Sequence, residues 1–377
     1  MLYGKFQLPV CIKKRKRRCS FVGQISIPED TSFHGIDLAK FIMAVLVVVL
    51  HSAPLADISS DMNYLVMNGV TRIAVPYFFA ASGFLLFHKM PSYPFDLQQI
   101  KKYLRHIFRL YIVWIIIYSP LILYQDFFQQ QGSAITRFSH MVWEIVILGW
   151  AHLWFLQALI IVAIFLTLLL FLKIPHRWIF FLAASAYIIA IMDSQYDVFF
   201  QVIFPDGSPI HLLFSKLNAH LVITRNGIFH APIFFFMGAY LGQQKHTTPF
   251  SKSVQYALFF FVLFLIEVTV SLRTGLTTIH SSHECYFTLV PLTYFIFLSS
   301  RTIKLPNLSI WKYLRKQSMF IYYIHVWWWF LVISLSYHIH IHSSARFFVI
   351  LSLSILSSHI LIILSKGKRF SFLKYLF

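Results

Sequence analysis

The 377-residue chain is 58% hydrophobic and 18% aromatic, with 12% charged residues and a mean hydropathy of +0.69. A water-soluble domain has no place to bury that much apolar surface, whereas a bilayer does. The formal net charge of +19 does not point to nucleic acid, because the basic residues stand in short clusters between apolar runs, as juxtamembrane charges do.

Residues 1–32 read as a poorly ordered basic leader, with the run Lys13 to Arg18 placed to meet anionic headgroups. The short apolar core and small-residue cleavage site of a removable signal are missing, so the first apolar run is expected to serve as an uncleaved signal anchor. Cys11, Cys19 and Cys285 have no zinc spacing, and the first two flank a run expected in a reducing cytosol; neither a disulfide framework nor a metal is expected.

A spanning helix needs about 20 mostly apolar residues. Ten stretches qualify: roughly 36–55, 64–87, 105–124, 150–172, 177–193, 226–243, 254–272, 284–300, 318–336 and 346–365. The expected fold is therefore all-α, a polytopic transmembrane bundle over 33–365 with both termini cytoplasmic and a basic tail at 366–377. The connecting charges agree. One set of loops holds Lys89, Lys101 and Lys102, then Lys173 and Arg177, Lys245 and Lys252, and Arg301 through Lys316, with Lys366 to Lys374 in the tail. The opposite loops hold Arg137, Lys216, Arg225, Arg273 and Arg346, one or two apiece, which is the positive-inside asymmetry. The long outer loop at 194–225 is placed to fold over that face, and His280, His283, His338, His340 and His342 read as polar loop caps rather than metal ligands.

Ionisable residues inside apolar runs are costly and usually functional. Lys40 and His51 are eleven residues apart, on one face of the first span and roughly 16 Å apart along its axis. Asp37 is too far from His51 to orient it and is expected to pair with Lys40 one turn away. Taken alone, Lys40 also reads as a snorkelling membrane-edge lysine, and His51 reads first as a satisfied interfacial histidine. Arg72 lies inside the second span, before Pro76, which can kink the helix, and Ser82-Gly83, which permits tight packing. A buried guanidinium needs a carboxylate or an anionic ligand, and Glu144, Glu267 and Glu284 are the candidates near outer helix ends. Arg105 and Arg109 share a face at the cytoplasmic mouth of the third span, as a phosphate clamp or as inside anchors.

Asp37, Lys40 and His51 have the spacing of the opening motif of the acyltransferase type 3 family, in which arginine usually stands at the Lys40 position. Arg72 followed by Val75-Pro76-Tyr77-Phe78-Phe79 and Ser82-Gly83-Phe84 is similar to its second-helix motif. Arg105 and Arg109, His152-Leu153-Trp154-Phe155-Leu156, Phe235 to Tyr240 and Ile321 to His325 resemble its later landmarks in order. The chain from about 33 to 365 thus resembles this family of polytopic membrane O-acyltransferases.

The resemblance implies transfer of an acyl group, usually acetyl, from cytoplasmic acetyl-CoA to a hydroxyl of a cell-envelope carbohydrate. It implies a multi-pass protein of the bacterial inner (cytoplasmic) membrane, with acyl-CoA as donor substrate and no tightly held prosthetic group. His51 is then expected to act as general base, since imidazole titrates near neutral pH, and Arg72 to stabilise the oxyanion. Lys40, Arg105 and Arg109 are expected at the donor, on a polar path that includes Ser82 and His325; Asp37, Glu144 and Trp154 are further candidates. Lysine at position 40 lacks the arginine fork, which weakens any bidentate grip there. The rival reading is a transporter or flippase for an acyl or sugar intermediate. Such proteins often carry paired broken helices, and the Arg72–Gly83 features have no counterpart in the second half.

Overall fold

The computed structural model describes residues 33–88, 90, 96–244, 248–277 and 282–377. The basic leader with Cys11 and Cys19, and also Lys89, Lys245 and His280, lie outside the described residues. Among those described, the secondary structure is helical and contains no strand.

The first half contains α1 (His34–Ser52), α2 (Ser60–Asn68), α3 (Ala74–Phe87), α4 (Leu97–Ile122), α5 (Ala134–Trp143), α6 (Trp154–Phe171) and α7 (His176–Met192). The second contains α8 (Asp197–Ile203), α9 (Pro209–Leu221), α10 (Ala231–Gln243), α11 (Phe250–Arg273), α12 (Leu289–Thr302), α13 (Ile310–Ser336) and α14 (Ser343–Leu364). Each of the ten predicted runs contains most or all of one of these helices or of a helical run made of two. Among the described residues, seven helices or continuous helical runs are long and apolar enough to cross a membrane. The pair α7 and α8, bent by 93°, makes an eighth if it counts as one span.

Two runs predicted as full spans are shorter than expected. The runs at 226–243 and 284–300 contain α10 and α12, helices of 13 and 14 residues. At 1.5 Å per residue these reach only about 20 Å, against a hydrocarbon core of about 30 Å. Their missing turns are spent on irregular segments just before each helix, which carry Arg225 and His230 in one case and Glu284 in the other. Non-helical backbone at membrane depth is tolerated where it lines a cavity, and these segments do so. Pro76 also departs from expectation. It sits in the first turn of α3, where a missing N–H costs little, directly after the 3₁₀ turn Val70–Ile73.

The helices pack through small residues. The tightest pair is α3 against α10, where a Cβ on Gly83 would lie 2.1 Å from the carbonyl of Phe235, and one on Gly238 would lie 1.9 Å from that of Ala80. Backbone meets backbone at both points, so any side chain would force the helices apart. This close approach, expected at Ser82-Gly83, brings the aromatic face of α3 against α6 and α13. Phe78, Phe155 and Tyr322 there form a triangle with ring centroids 5.7–5.9 Å apart. The α1 helix runs through the middle of the bundle against α3, α12, α13 and α14, which places both ends of its polar stripe among other helices.

Candidate active site

The last turn of α1 opens on a cavity of about 350 Å³. His51 lines it, with Nδ1 2.8 Å from the carbonyl oxygen of Val47. A carbonyl only accepts, so Nδ1 carries the hydrogen and Nε2 holds the lone pair. His325 of α13 is fully buried against the same ring. Its Nδ1 donates to Ile321 O at 3.1 Å, leaving its Nε2 as an acceptor 3.3 Å from His51 Nδ1. The His51 N–H is thus shared between Val47 O and His325 Nε2. The pair fixes the ring and leaves His51 Nε2 as the basic nitrogen. This is the geometry of a base held by a third group.

Arg72 stands on the same cavity, in the 3₁₀ turn ahead of α3. Of the three carboxylates expected to meet it, Glu284 does so, at 3.5 Å, while Asn68 Oδ1 accepts a second bond at 3.1 Å. Glu267 is engaged elsewhere, accepting from the backbone N–H groups of Phe287 and Thr288 at 2.8 Å each. Glu144 lies in a π-helical turn, 3.9 Å from His140, and does not line the cavity. Arg225 Nε lies 3.3 Å from the same Glu284 oxygen, a second ion pair. Two guanidinium groups therefore share a single carboxylate oxygen, and Arg72 Nε and Glu284 Oε2 are buried without a hydrogen-bond partner. His152 and His230, both buried, complete the wall, with both ring nitrogens of His152 and Nε2 of His230 unpartnered. Trp154 lines this cavity too, with its ring 5.9 Å from that of His230.

A second cavity of about 410 Å³ lies toward the other end of α1. Lys40 and Ser82 line it, with Lys102 and His106 of α4, and the rest of the wall is mostly apolar. Among the described residues, Tyr322 alone lines both cavities. It stands in the triangle with Phe78 and Phe155, and its hydroxyl donates to the carbonyl of His152. The polar path expected from Lys40 and Ser82 to Arg72 and His325 is therefore interrupted: two cavities meet at an aromatic wall.

One further expectation is corrected, and two residues expected at the donor stand off the inner cavity. Asp37 does not take Lys40 as its partner; Arg315 of α13 grips it with a two-pronged fork, Nε to Oδ1 and Nη2 to Oδ2, each at 2.7 Å. Arginine wins because its planar fork matches a carboxylate and lysine's point charge does not. Arg105 is exposed and does not line the inner cavity. Arg109 turns away from it as well, bonded to His106 Nδ1 at 3.0 Å and stacked on Tyr375 at 5.1 Å. Lys102 takes the cavity position on α4, because the face that buries Ile107 and Leu110 also carries residue 103 and its neighbours inward. Of the histidine-rich loops, His283 packs on Tyr64 and lies 3.0 Å from Gln195 Oε1. Among the described residues no three His, Cys, Asp or Glu side chains come together to hold a metal ion.

Comparison with known proteins bears on this arrangement. A family model described as an acyltransferase domain matches residues 33–363. The chain belongs to the acyltransferase type 3 family. The segment from Asp37 to His51 thus falls inside the matched region, as do both cavities. Curated relatives include an amino-acid racemase of Enterococcus faecalis, 31% identical over 219 residues, 58% of this chain and 29% of that protein. A serine/alanine racemase of Enterococcus gallinarum is 27% identical over 296 residues, 77% of this chain and 40% of that one. A further amino-acid racemase of E. faecalis is 25% identical over 344 residues, 90% and 47% respectively. The chain spans less than half the length of each of these relatives. No solved structure matches it.

Proposed function

We propose that this membrane acyltransferase moves an acyl group, acetyl in the simplest case, from cytoplasmic acyl-CoA to a hydroxyl of a cell-envelope carbohydrate, with His51 as general base. The observation that carries the reading is the His325–His51 pair, which presents one basic nitrogen to a cavity that also holds a guanidinium. We assign the Lys102 end of the bundle to the cytoplasm, ten membrane crossings to the chain, and the inner membrane of a bacterium to the protein.

In this scheme the inner cavity takes the pantetheine arm, with Lys40 and Lys102 at its charged edge. The acceptor hydroxyl lies at His51 Nε2, which removes its proton as the oxygen attacks the thioester carbonyl. The oxyanion is stabilised by Arg72. Collapse breaks the C–S bond, and the thiolate leaves and takes up the proton from His51, so free CoA and an ester are the products. The Phe78–Phe155–Tyr322 wall must part for the thioester to reach His51.

Purified protein in nanodiscs, given radiolabelled acetyl-CoA and a panel of envelope glycans, should label a glycan. His51→Ala should lower that rate by about 10²–10⁴-fold, the usual worth of a general base. The rival transporter reading is supported by the two cavities facing opposite halves of the bundle across a single wall. Glycan movement across the membrane with no release of CoA would replace our reading with that one.

A further inference from the structure

The outer cavity has more positive charge than its own carboxylate can neutralise. Arg72 and Arg225 both point one nitrogen at the same oxygen of Glu284, so two positive groups face one negative group. Arg225 gives only Nε to the pair, and its side chain is 52% exposed at the mouth, while that of Arg72 is 16% exposed and lies deeper. A neutral occupant that displaced water from Arg225 would leave that charge uncompensated beside a low-dielectric wall, which is costly.

A second observation is independent of charge. His152 and His230, 5% and 3% exposed, both line this cavity, and His230 Nε2 and the His152 ring nitrogens are buried without a hydrogen-bond partner. Buried polar atoms are nearly always satisfied, so a group left open in this way calls for an occupant. Imidazole lone pairs and Glu284 Oε2 accept hydrogen bonds, and hydroxyl groups donate them. Trp150, Trp154 and Trp329 add flat apolar faces, which suit the C–H face of a sugar ring. The volume, about 350 Å³, is near the low end for small-molecule sites and suits one sugar unit better than an oligosaccharide.

We propose that this cavity takes a single sugar unit bearing an anionic group, carboxylate or phosphate, with the anion on Arg225 at the mouth and the hydroxyls turned toward His152, His230 and Glu284. Its identity as the acyl acceptor rests on the function proposed above; the binding itself does not.

The test is binding, without acyl-CoA, to the full chain in nanodiscs at low salt. The probes are methyl glucuronide, methyl glucoside 6-phosphate, neutral methyl glucoside and inorganic phosphate. At least one charged glycoside should bind about tenfold or more tightly than the neutral one, as expected for an added charge-assisted hydrogen bond. Which charged glycoside wins identifies the anion. Arg225→Gln should erase the preference and Arg225→Lys should keep part of it, both at unchanged melting temperature. Equal binding of neutral and charged glycosides overturns the proposal, as does a preference that survives Arg225→Gln. Inorganic phosphate binding as tightly as the glycoside phosphate overturns the sugar site. Binding as expected with no transfer would sink the acyltransfer scheme alone; transfer to neutral glycosides at the same rate as to charged ones would sink this inference alone.

Discussion

Two ion pairs at opposite ends of α1's neighbourhood are built differently. At the His34 end, Arg315 and Asp37 face each other fork to fork, both contacts at 2.7 Å, and the carboxylate is nearly buried. At the His51 end, Arg72 and Arg225 converge on one oxygen of Glu284 at 3.5 and 3.3 Å, with further atoms of the cluster unpartnered. The first pair spends its hydrogen-bonding capacity on the protein and ties α13 to α1. The second holds capacity in reserve. A charge in a membrane bundle is thus structural when its partners saturate it, and chemical when they do not.

The sharpest way to break this contrast is at Arg72. Arg72→Ala should lower transfer by about 10²–10³-fold, the cost of losing one oxyanion donor, with a small change in melting temperature. A large melting loss at retained specific activity would make the outer cluster structural after all. At the other end, Asp37→Asn should destabilise the fold by about 1.5–3 kcal/mol, the worth of hydrogen bonds to a charged group, because the half-exposed Arg315 can recover some hydration. The variant that remains folded should keep its turnover. Melting followed by intrinsic fluorescence, with kcat measured below the transition, reads both effects. The smallest effect is also at the His51 end. His325→Phe removes an acceptor from the His51 N–H and leaves Val47 O in place, so kcat should fall roughly three- to tenfold at unchanged KM. A change in KM alone would make His325 a packing residue.

The fold was legible wherever an apolar run was continuous, and all ten runs form helix. It was less legible at α10 and α12, because hydropathy averages over a window and cannot see where the backbone leaves the helix to line a cavity. Within the site, His51, Arg72, Lys40, Ser82 and Trp154 were legible as residues out of keeping with their apolar surroundings or as parts of motifs, and the structure puts each on a cavity wall. Arg225, His152 and His230 were not singled out as site residues. Arg225 reads as an ordinary outer-loop charge, and only the fold brings it to Glu284, 59 positions further along. The Asp37 partner was misread for the same reason. Arg315 belongs to a basic cluster that the positive-inside pattern already explains, and its distance of 278 residues from Asp37 carries no local signal.

In the proposed mechanism donor and acceptor meet at His51 from opposite sides. Sealed proteoliposomes test it, with labelled acetyl-CoA confined to the side bearing Lys102 and a membrane-impermeant glycoside only on the other. The account predicts labelled ester on the glycoside and free CoA on the donor side, both lost with His51→Ala. Label formed only when donor and glycoside share a compartment would contradict it.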